Sequence, residues 1–372
     1  MATITPSIVT VNASVILAPS GEFYQQGGAL ISCGGSTLTT NTYQYCGNLA
    51  AVEAILSSGG NYVELTAMAT TFFAQGSAVG VYVLEIGAGG GASATQIAAL
   101  TTWIAANPNT FYAYLCPATW DTTSSAALNT LATAYDSTTS ATYFFATITT
   151  ANIANYTVKS LHCSVKSPTA ASTEFQEAYW FYQFLSNAAV ISTSSPASPM
   201  AFRFAFGVTP WALIASSGTS NIATITTILT NFANVIITGA EGQISNSMGE
   251  FGTFMDGNQM MFWWAVDYLT INSHVDLANA VINGSQPGQP NPLVYNQFGI
   301  NTLLAVLNAL GATGVAEQIF LTFAFTATPF ITYTTANQSN YQDGIYGGFQ
   351  GSVTPQLGFE KIVFNVAATT FA

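Results

Sequence analysis

The sequence predicts a mixed α/β (α+β) fold with an extended strand at each end, and three observations lead there. Between Gly27 and Ile148, segments with a helical apolar period alternate with short β-branched runs, the pattern of an α/β layer with a mostly parallel sheet. After Asp256 two long helix-period segments follow one another. At both ends apolar residues recur every second position, the period of a strand with one buried face.

In chain order, Val9, Val11, Ala13, Val15 and Leu17 alternate with Thr10, Asn12, Ser14 and Ile16 between Pro6 and Pro19. This strand either completes the chain's own sheet or adds to a neighbour's sheet edge. Leu65, Met68, Ala69 and Phe72 fall at i, i+3, i+4 and i+7, so Tyr62 to Gln75 is expected as a helix, with Val79 to Ile86 as the following strand. Ser93 and Gln96 are spaced as a capping box for a helix carrying Ile97, Leu100 and Ile104. Strands at Phe111 to Cys116 and Thr142 to Ile148 flank a helix from Ser124 to Tyr135. A strand at Leu161 to Val165 leads to a helix opened by Thr173 and Gln176, and Ser192 to Pro199 is a Ser- and Pro-rich loop. A helix from Asn221 to Asn231 and a strand at Val235 to Thr238 come before a Gly-, Ser- and Asn-rich stretch that marks a lobe boundary.

Asp256 and Gln259 sit at the N-cap and N3 positions of a long helix with Met261, Trp264, Ala265 and Tyr268 as its core stripe, and Asp267 off it. After a proline-rich turn, Ile300, Leu303, Leu304, Leu307 and Leu310 define a second helix, expected to stop at Gly311 and Gly314. Strands at Gln318 to Phe325 and Glu360 to Val366 finish the chain, the last with Ile362, Phe364 and Val366 on one face.

Composition excludes more than it selects. The 372 residues are 49% hydrophobic and 5% charged, with a net charge of −12; disorder needs the opposite balance. Lys159, Lys166, Arg203 and Lys361 are the only cations, too few to replace the counterions of a nucleic-acid backbone or to grip an anionic membrane surface. No basic start comes before an apolar N-terminal stretch, and runs such as Val79 to Leu84 fall short of the roughly 20 residues that span a bilayer. The chain reads as soluble or assembled, with no nucleic-acid partner and no membrane insertion. Cys33, Cys46, Cys116 and Cys163 lack zinc-site spacing; they are read as buried thiols, or with one pair such as Cys33 and Cys46 crosslinking in an oxidising exterior.

Chemistry-bearing motifs are thin. Gly87, Gly89 and Ala92 satisfy G-x-G-x-x-G/A spacing between a strand and a helix, but the carboxylate expected about 20 residues on is missing. The turn either binds a dinucleotide or merely connects strand to helix. His162 and His274 have no ligand set at metal spacing, and Asp256 with Asp267 is the one carboxylate pair to weigh for acid–base work. No catalytic, cofactor-binding or metal residues are assigned, and no cofactor is expected. Aromatic residues occupy both faces of the helix from Trp180 to Phe184, which implies that one face meets a partner outside the lobe.

The order of segments resembles phage tail sheath-like proteins. YVELTAMATTFFAQGSAVGVYVLEI (62–86) resembles their helix ending in F-A-Q followed by a strand. FMDGNQMMFWWAVDYLTINSHVDLANAVING (254–284) and LVYNQFGINTLLAVLNALG (293–311) resemble their late helix pair. The resemblance spans most of the chain and is weakest from Lys159 to Thr238. It implies a structural subunit, not an enzyme: stacked six-fold rings around a tail tube, contracting to drive the tube into the host envelope. It also implies an N-terminal arm (1–26), an outer α/β lobe (27–245), an inner tube-facing lobe (246–356) and a C-terminal arm (357–372).

Under the resemblance, Val9, Val11, Ala13, Val15, Leu17, Ile362, Phe364 and Val366 form the strand-exchange interface. The partners are other copies of the chain, the tail tube protein, and baseplate and neck or terminator proteins. The place is a virion tail assembled in the host cytoplasm. Where such relatives are expected to carry basic residues, this chain has DGIYGG (343–348), so uncharged polar and aromatic contact is expected to replace a charge-steered grip. The alternative reading is an extracellular or cell-surface lattice or adhesin subunit.

Overall fold

The computed structural model describes residues 21–87, 91–192, 195–239, 246–283 and 293–358. After a 3-10 turn at Gly21–Gln26 come strands β1 (Gly28–Ser32) and β2 (Thr42–Cys46), helices α1 (Leu49–Glu53) and α2 (Tyr62–Ala74), and β3 (Val81–Glu85). Next are α3 (Ser93–Ala106), β4 (Ala113–Leu115), α4 (Thr119–Ala134), β5 (Tyr143–Ile148), β6 (Leu161–Val165) and α5 (Glu177–Val190). Then follow α6 (Ile222–Thr230), β7 (Val235–Gly239), β8 (Asn246–Glu250), α7 (Met260–Asn283) and α8 (Gln297–Ala316). The chain's last described elements are β9 (Phe320–Ala327), α9 (Phe330–Ala336), α10 (Gln338–Gln342) and β10 (Phe349–Pro355).

Six strands make one sheet in the order β2-β3-β1-β4-β5-β6. All neighbours are parallel except the β2–β3 edge pair. The central strands are buried on both faces, as in Ala29, Leu30, Ile31 and Tyr143, Phe144, Phe145, which is why they read as unbroken apolar runs rather than alternating ones. On one face Leu65, Met68 and Phe72 of α2 and Phe181, Phe184 and Leu185 of α5 share a core with Leu30, Val83 and Leu115. On the other, Ile97, Leu100 and Trp103 of α3 and Leu128 and Leu131 of α4 pack with Ile31, Leu84 and Phe144. The sheet is thus doubly wound, with β1 flanked by β3 and β4 where the winding reverses.

A second layer covers α5. Met260, Met261, Trp264 and Ala265 of α7 belong to the same apolar cluster as α5, and Tyr179 donates to the Arg203 carbonyl at 2.7 Å. Every residue from Glu177 to Asn187 is buried inside its own chain. The two-sided aromatic helix therefore finds its second partner outside the predicted 27–245 lobe, in α7 together with the β7–β8 hairpin, but within the same chain, so no second copy is needed to cover it. That hairpin pairs Gly239 with Asn246, across the position where the lobe boundary was expected.

Several expected helix signals are spent elsewhere. Ser93 is the first residue of α3, with Ala92 at the cap and no side-chain cap bond; its hydroxyl accepts from Thr123 at 2.7 Å. Gln176 precedes α5 and donates to the Glu174 carboxylate at 2.8 Å. Asp256 lies before α7 and takes the indole N–H of Trp263 at 2.7 Å. Helix α4 starts earlier than expected, at Thr119, with a break at Ser124 (φ −152°). Helix α8 does not stop at Gly311 or Gly314 but runs through both. A Cβ on Gly314 would lie 2.3 Å from the Phe320 ring and one on Gly311 2.5 Å from the Phe323 ring, so these glycines allow close helix–strand contact rather than a helix end. By length and apolarity alone α8 also meets the requirement for crossing a bilayer, although its apolar residues form no unbroken run.

Candidate assembly interface

The late part of the chain builds a small, incompletely covered layer. Strands β9 and β10 pair antiparallel, with Ala324 opposite Ser352 and Phe323 opposite Val353. Phe323 and Phe325 alternate with the exposed Thr322, Ala324 and Thr326, the two-residue period of a sheet with one face on a helix. Gly311 and Gly314 of α8 supply the flat surface for that face. The outward face is uncharged, and the Thr322 hydroxyl donates to that of Thr354 at 3.1 Å.

Among the described residues this sheet has two strands only. Each therefore presents an outer edge of backbone N–H and C=O groups without a ladder partner, the arrangement that accepts an added strand. A two-stranded sheet is marginal by itself, and further strands would complete it. Around it lie large exposed apolar side chains: Phe298 at 74%, Ile331 at 75% and Val294 at 64% exposure. The predicted strand-exchange residues Val9, Val11, Ala13, Val15, Leu17, Ile362, Phe364 and Val366 lie outside the described residues, as does the expected strand from Glu360.

The described cations are held internally. Lys159 is buried, donates to the Ser140 carbonyl at 2.7 Å and sits 4.6 Å from the Trp263 ring. Lys166 donates to the carbonyls of Ala171 and Glu174, and Arg203 to Pro199, Gln183, Asn187 and Ser198. Phe298, Ile331 and Ile345 are exposed.

The chemistry-bearing motifs take structural roles. The Glu85 carboxylate is buried at the end of β3 and accepts from Ser32 (2.6 Å), Gly34 N–H (2.8 Å), Ser36 (2.8 Å) and Gly87 N–H (2.7 Å). Among the described residues of this turn, the Gly87 amide is thus taken by the chain's own carboxylate, and Gly87 adopts φ +69°. His162 and Glu177 form a fully buried pair at 2.5 Å, with burial raising the Glu177 carboxyl and His162 opposing that rise. Asp256 and Asp267 have separate surroundings: Asp256 serves Asn258 and Trp263. Asp267, expected off the core stripe, is buried and accepts from Tyr112 at 2.8 Å and Tyr143 at 2.7 Å. All four cysteines are free and buried, and burial raises the thiols of Cys33, Cys116 and Cys163.

The sequence matches no family model and no curated protein. Solved structures do match along the whole chain. A chain of the anti-feeding prophage (AFP) baseplate, six-fold symmetrised, superposes with a TM-score of 0.65 at 11% identity, covering 100% of both chains. A chain of the AFP helical sheath in its contracted state gives 0.60 at 11% identity, covering 99% of each. A chain of an extracellular contractile injection system, the PVC sheath complex in its contracted state, gives 0.57 at 11% identity, covering 99% of this chain and 98% of that one. At these identities the likeness is one of fold, and it extends from end to end.

Proposed function

We propose that this chain is the sheath subunit of a contractile tail or tail-like injection particle, a mechanical element rather than an enzyme. The observation that carries the reading is the β9–β10 sheet, two-stranded and open at both outer edges among the described residues, in a chain whose fold is shared along its length with chains of contractile sheaths. Val9–Leu17 has a length comparable to the eight residues of β9, and a strand rises about 3.3 Å per residue. One arm from a neighbour on each edge would turn a marginal ribbon into a four-stranded sheet. Such links hold a lattice together by backbone hydrogen bonds while subunits rotate, so rings can repack without separating. Contraction is then a change between two packings of one lattice.

On this reading residues 246–356 face a tail tube, residues 27–245 face outward, and the rings are six-fold. Baseplate and neck proteins bind the ends, the particle is assembled in the host cytoplasm, and contraction drives the tube into an envelope. The test is negative-stain electron microscopy of the full chain at rising concentration, beside variants lacking residues 1–20 or 359–372. Tubes or stacked rings that vanish in either deletion support the reading. Flat lattices, a closed small oligomer, or tubes that persist without both arms overturn it in favour of a surface lattice or adhesin subunit.

A further inference from the structure

The β7–β8 hairpin carries a third extended segment, residues 203–206, along its β8 side. Phe204 stands opposite Met248 of β8, the Ala205 N–H donates to the Ser247 carbonyl at 2.8 Å, and Met248 in turn stands opposite Ile237 of β7. One face of this small sheet lies on α5, where a Cβ on Gly249 would meet the Trp180 ring at 2.4 Å. The other face is open. Phe204 and Phe206, two residues apart and so on one side of the segment, are each 55% exposed. Phe202 flanks them at a turn with φ +57°, and Met248 and Ile237 continue the row as half-buried cross-strand neighbours. Single exposed apolar side chains are ordinary, whereas a contiguous row marks a contact surface.

This face contains one charge. Glu250, two residues from Met248, shares its side of β8 and is half-buried. Its carboxylate has no cation or hydrogen-bond donor among the described residues, and burial raises it unopposed. A partly desolvated carboxylate in an apolar face calls for a cation. Lys159, Lys166 and Arg203 are committed inside the chain, which leaves Lys361 as the one other Lys or Arg in the sequence. The last described residue before it, Gly358, lies close by. Its N–H donates to Gln259 Oε1 at 2.9 Å and its carbonyl accepts from Gln259 Nε2 at 3.2 Å. A Cβ on Gly358 would lie 2.5 Å from Pro199, three residues before Phe202, and one on Gly252, two residues after Glu250, would lie 3.2 Å from Ala201. Residues 359–366 reach about 26 Å when extended, and their Ile362, Phe364 and Val366 repeat at the same two-residue spacing as Phe204 and Phe206.

We propose that the open face of Phe202, Phe204, Phe206 and Met248 is the seat of residues 359–366 of the same chain, with Lys361 paired to Glu250 and the apolar side of the segment laid on the phenylalanines. Contact is by face rather than by backbone edge, because the N–H and C=O of Phe206 are already taken by the Gln75 side chain at 3.0 and 2.7 Å. The chain's own segment is favoured over that of a second copy by its starting point beside Pro199: so short a tether gives an effective concentration of about 1 mM. The docking does not rest on the sheath reading. Where both hold, a free subunit keeps its C-terminal arm covered and yields it only to a lattice edge that outcompetes this face, which restrains assembly away from a growing end.

The experiment is zero-length carbodiimide crosslinking, which joins an amine to a carboxylate in contact with it, on an equal mixture of unlabelled and isotope-labelled full chain at low micromolar concentration, read by peptide mass spectrometry. A Glu250–Lys361 crosslink within single chains is expected, absent in Glu250→Gln and lowered at least threefold in Phe204→Ser, a change at an exposed position. Crosslinked peptides of mixed isotope would assign the face to a neighbour's segment and overturn the proposal. So would linkage of Lys361 to other carboxylates in equal yield, no linkage of Lys361, or an unchanged yield in Phe204→Ser. The sheath reading survives each of these results, since the deletion variants under the microscope decide it. If Glu250→Gln does not fold, hydrogen exchange of the parent chain carries the test: amides of residues 361–366 slowed at least tenfold against a free peptide of that sequence support the docking, and exchange at the peptide's rate overturns it.

Discussion

Asp267 joins α7 to the parallel sheet, and its titration is the sharpest quantity the fold offers. Its carboxylate is buried between Tyr112, just before β4, and Tyr143 of β5, whose hydroxyls both donate to it. Gln25 adds a bridge from the 3-10 turn, donating to the Trp264 carbonyl at 3.0 Å. Burial raises the carboxyl from 3.8 to about 6, while Lys159 and the two tyrosines oppose the rise. Because the folded value lies above the unfolded one, the native state holds the proton more tightly between them. The contribution to stability is therefore full below about pH 4 and is lost as pH rises through about 6. At about 1.4 kcal/mol per pH unit, the loss comes to about 3 kcal/mol.

Asp267→Asn keeps an acceptor for the tyrosines and removes the titration. Urea unfolding of parent and variant at pH 4, 5, 6 and 7 isolates this group, since other raised carboxyls such as Glu177 and Glu250 cancel in the difference. The variant should gain on the parent by about 3 kcal/mol across that range. A difference that stays flat within 1 kcal/mol, or that runs the other way, would refute the account of Asp267 as a carboxyl governed by burial.

The helix–strand contact gives a second test. Gly314→Ala should destabilise by about 1–2 kcal/mol, because Phe320 is only 1% exposed and cannot yield. Gly311→Ala should be nearly neutral in the same melts, since the half-buried Phe323 can move and alanine favours the helix by about 1 kcal/mol. Glu177→Ala leaves His162 buried without its partner and should cost about 3–5 kcal/mol in denaturant titration; a loss below 1 kcal/mol would mean the pair is incidental. With the described cations held internally, assembly followed by light scattering should shift little between about 0.1 M and 1 M salt, while the Debye length falls from about 10 to 3 Å. A steep loss of assembly with salt would point to an ionic interface instead.

Much of the architecture was readable in the sequence because it is local. The period of Leu65, Met68 and Phe72 marks α2, and β6 occupies the residues expected, Leu161–Val165. The alternation from Gly27 to Ile148 implied a mostly parallel sheet, and the strands pair that way. Strand β10 and helices α9 and α10 were missed: Gly-containing, uncharged stretches such as FQGSVTP carry almost no periodic signal. The role of Gly351, which lets the Phe325 ring lie 2.5 Å from where a Cβ would be, is visible only once the two strands are paired.

Capping signals failed for one reason. Ser93, Gln176 and Asp256 have the chemistry of caps, but Ser93 is drawn to Thr123 and Gln176 to the Thr209 carbonyl, both distant in sequence, while Asp256 takes the Trp263 indole N–H from within α7. Local spacing states what a side chain could bond; competition among tertiary partners settles what it does bond. The same holds for Glu85 and Glu64, ordinary exposed-type residues by sequence, which the closing of the sheet places at strand and helix ends.

What residue order alone conveyed is the class of fold and the low-charge composition, while the terminal strands it predicts lie outside the described residues. Those follow from side-chain period and charge count, which are properties of a chain before it folds. Which faces are covered was decided by tertiary structure: α5 is shielded by α7, while the edges of β9 and β10 have no described partner. Burial depends on what returns across the chain to cover a surface, and no local period contains that information.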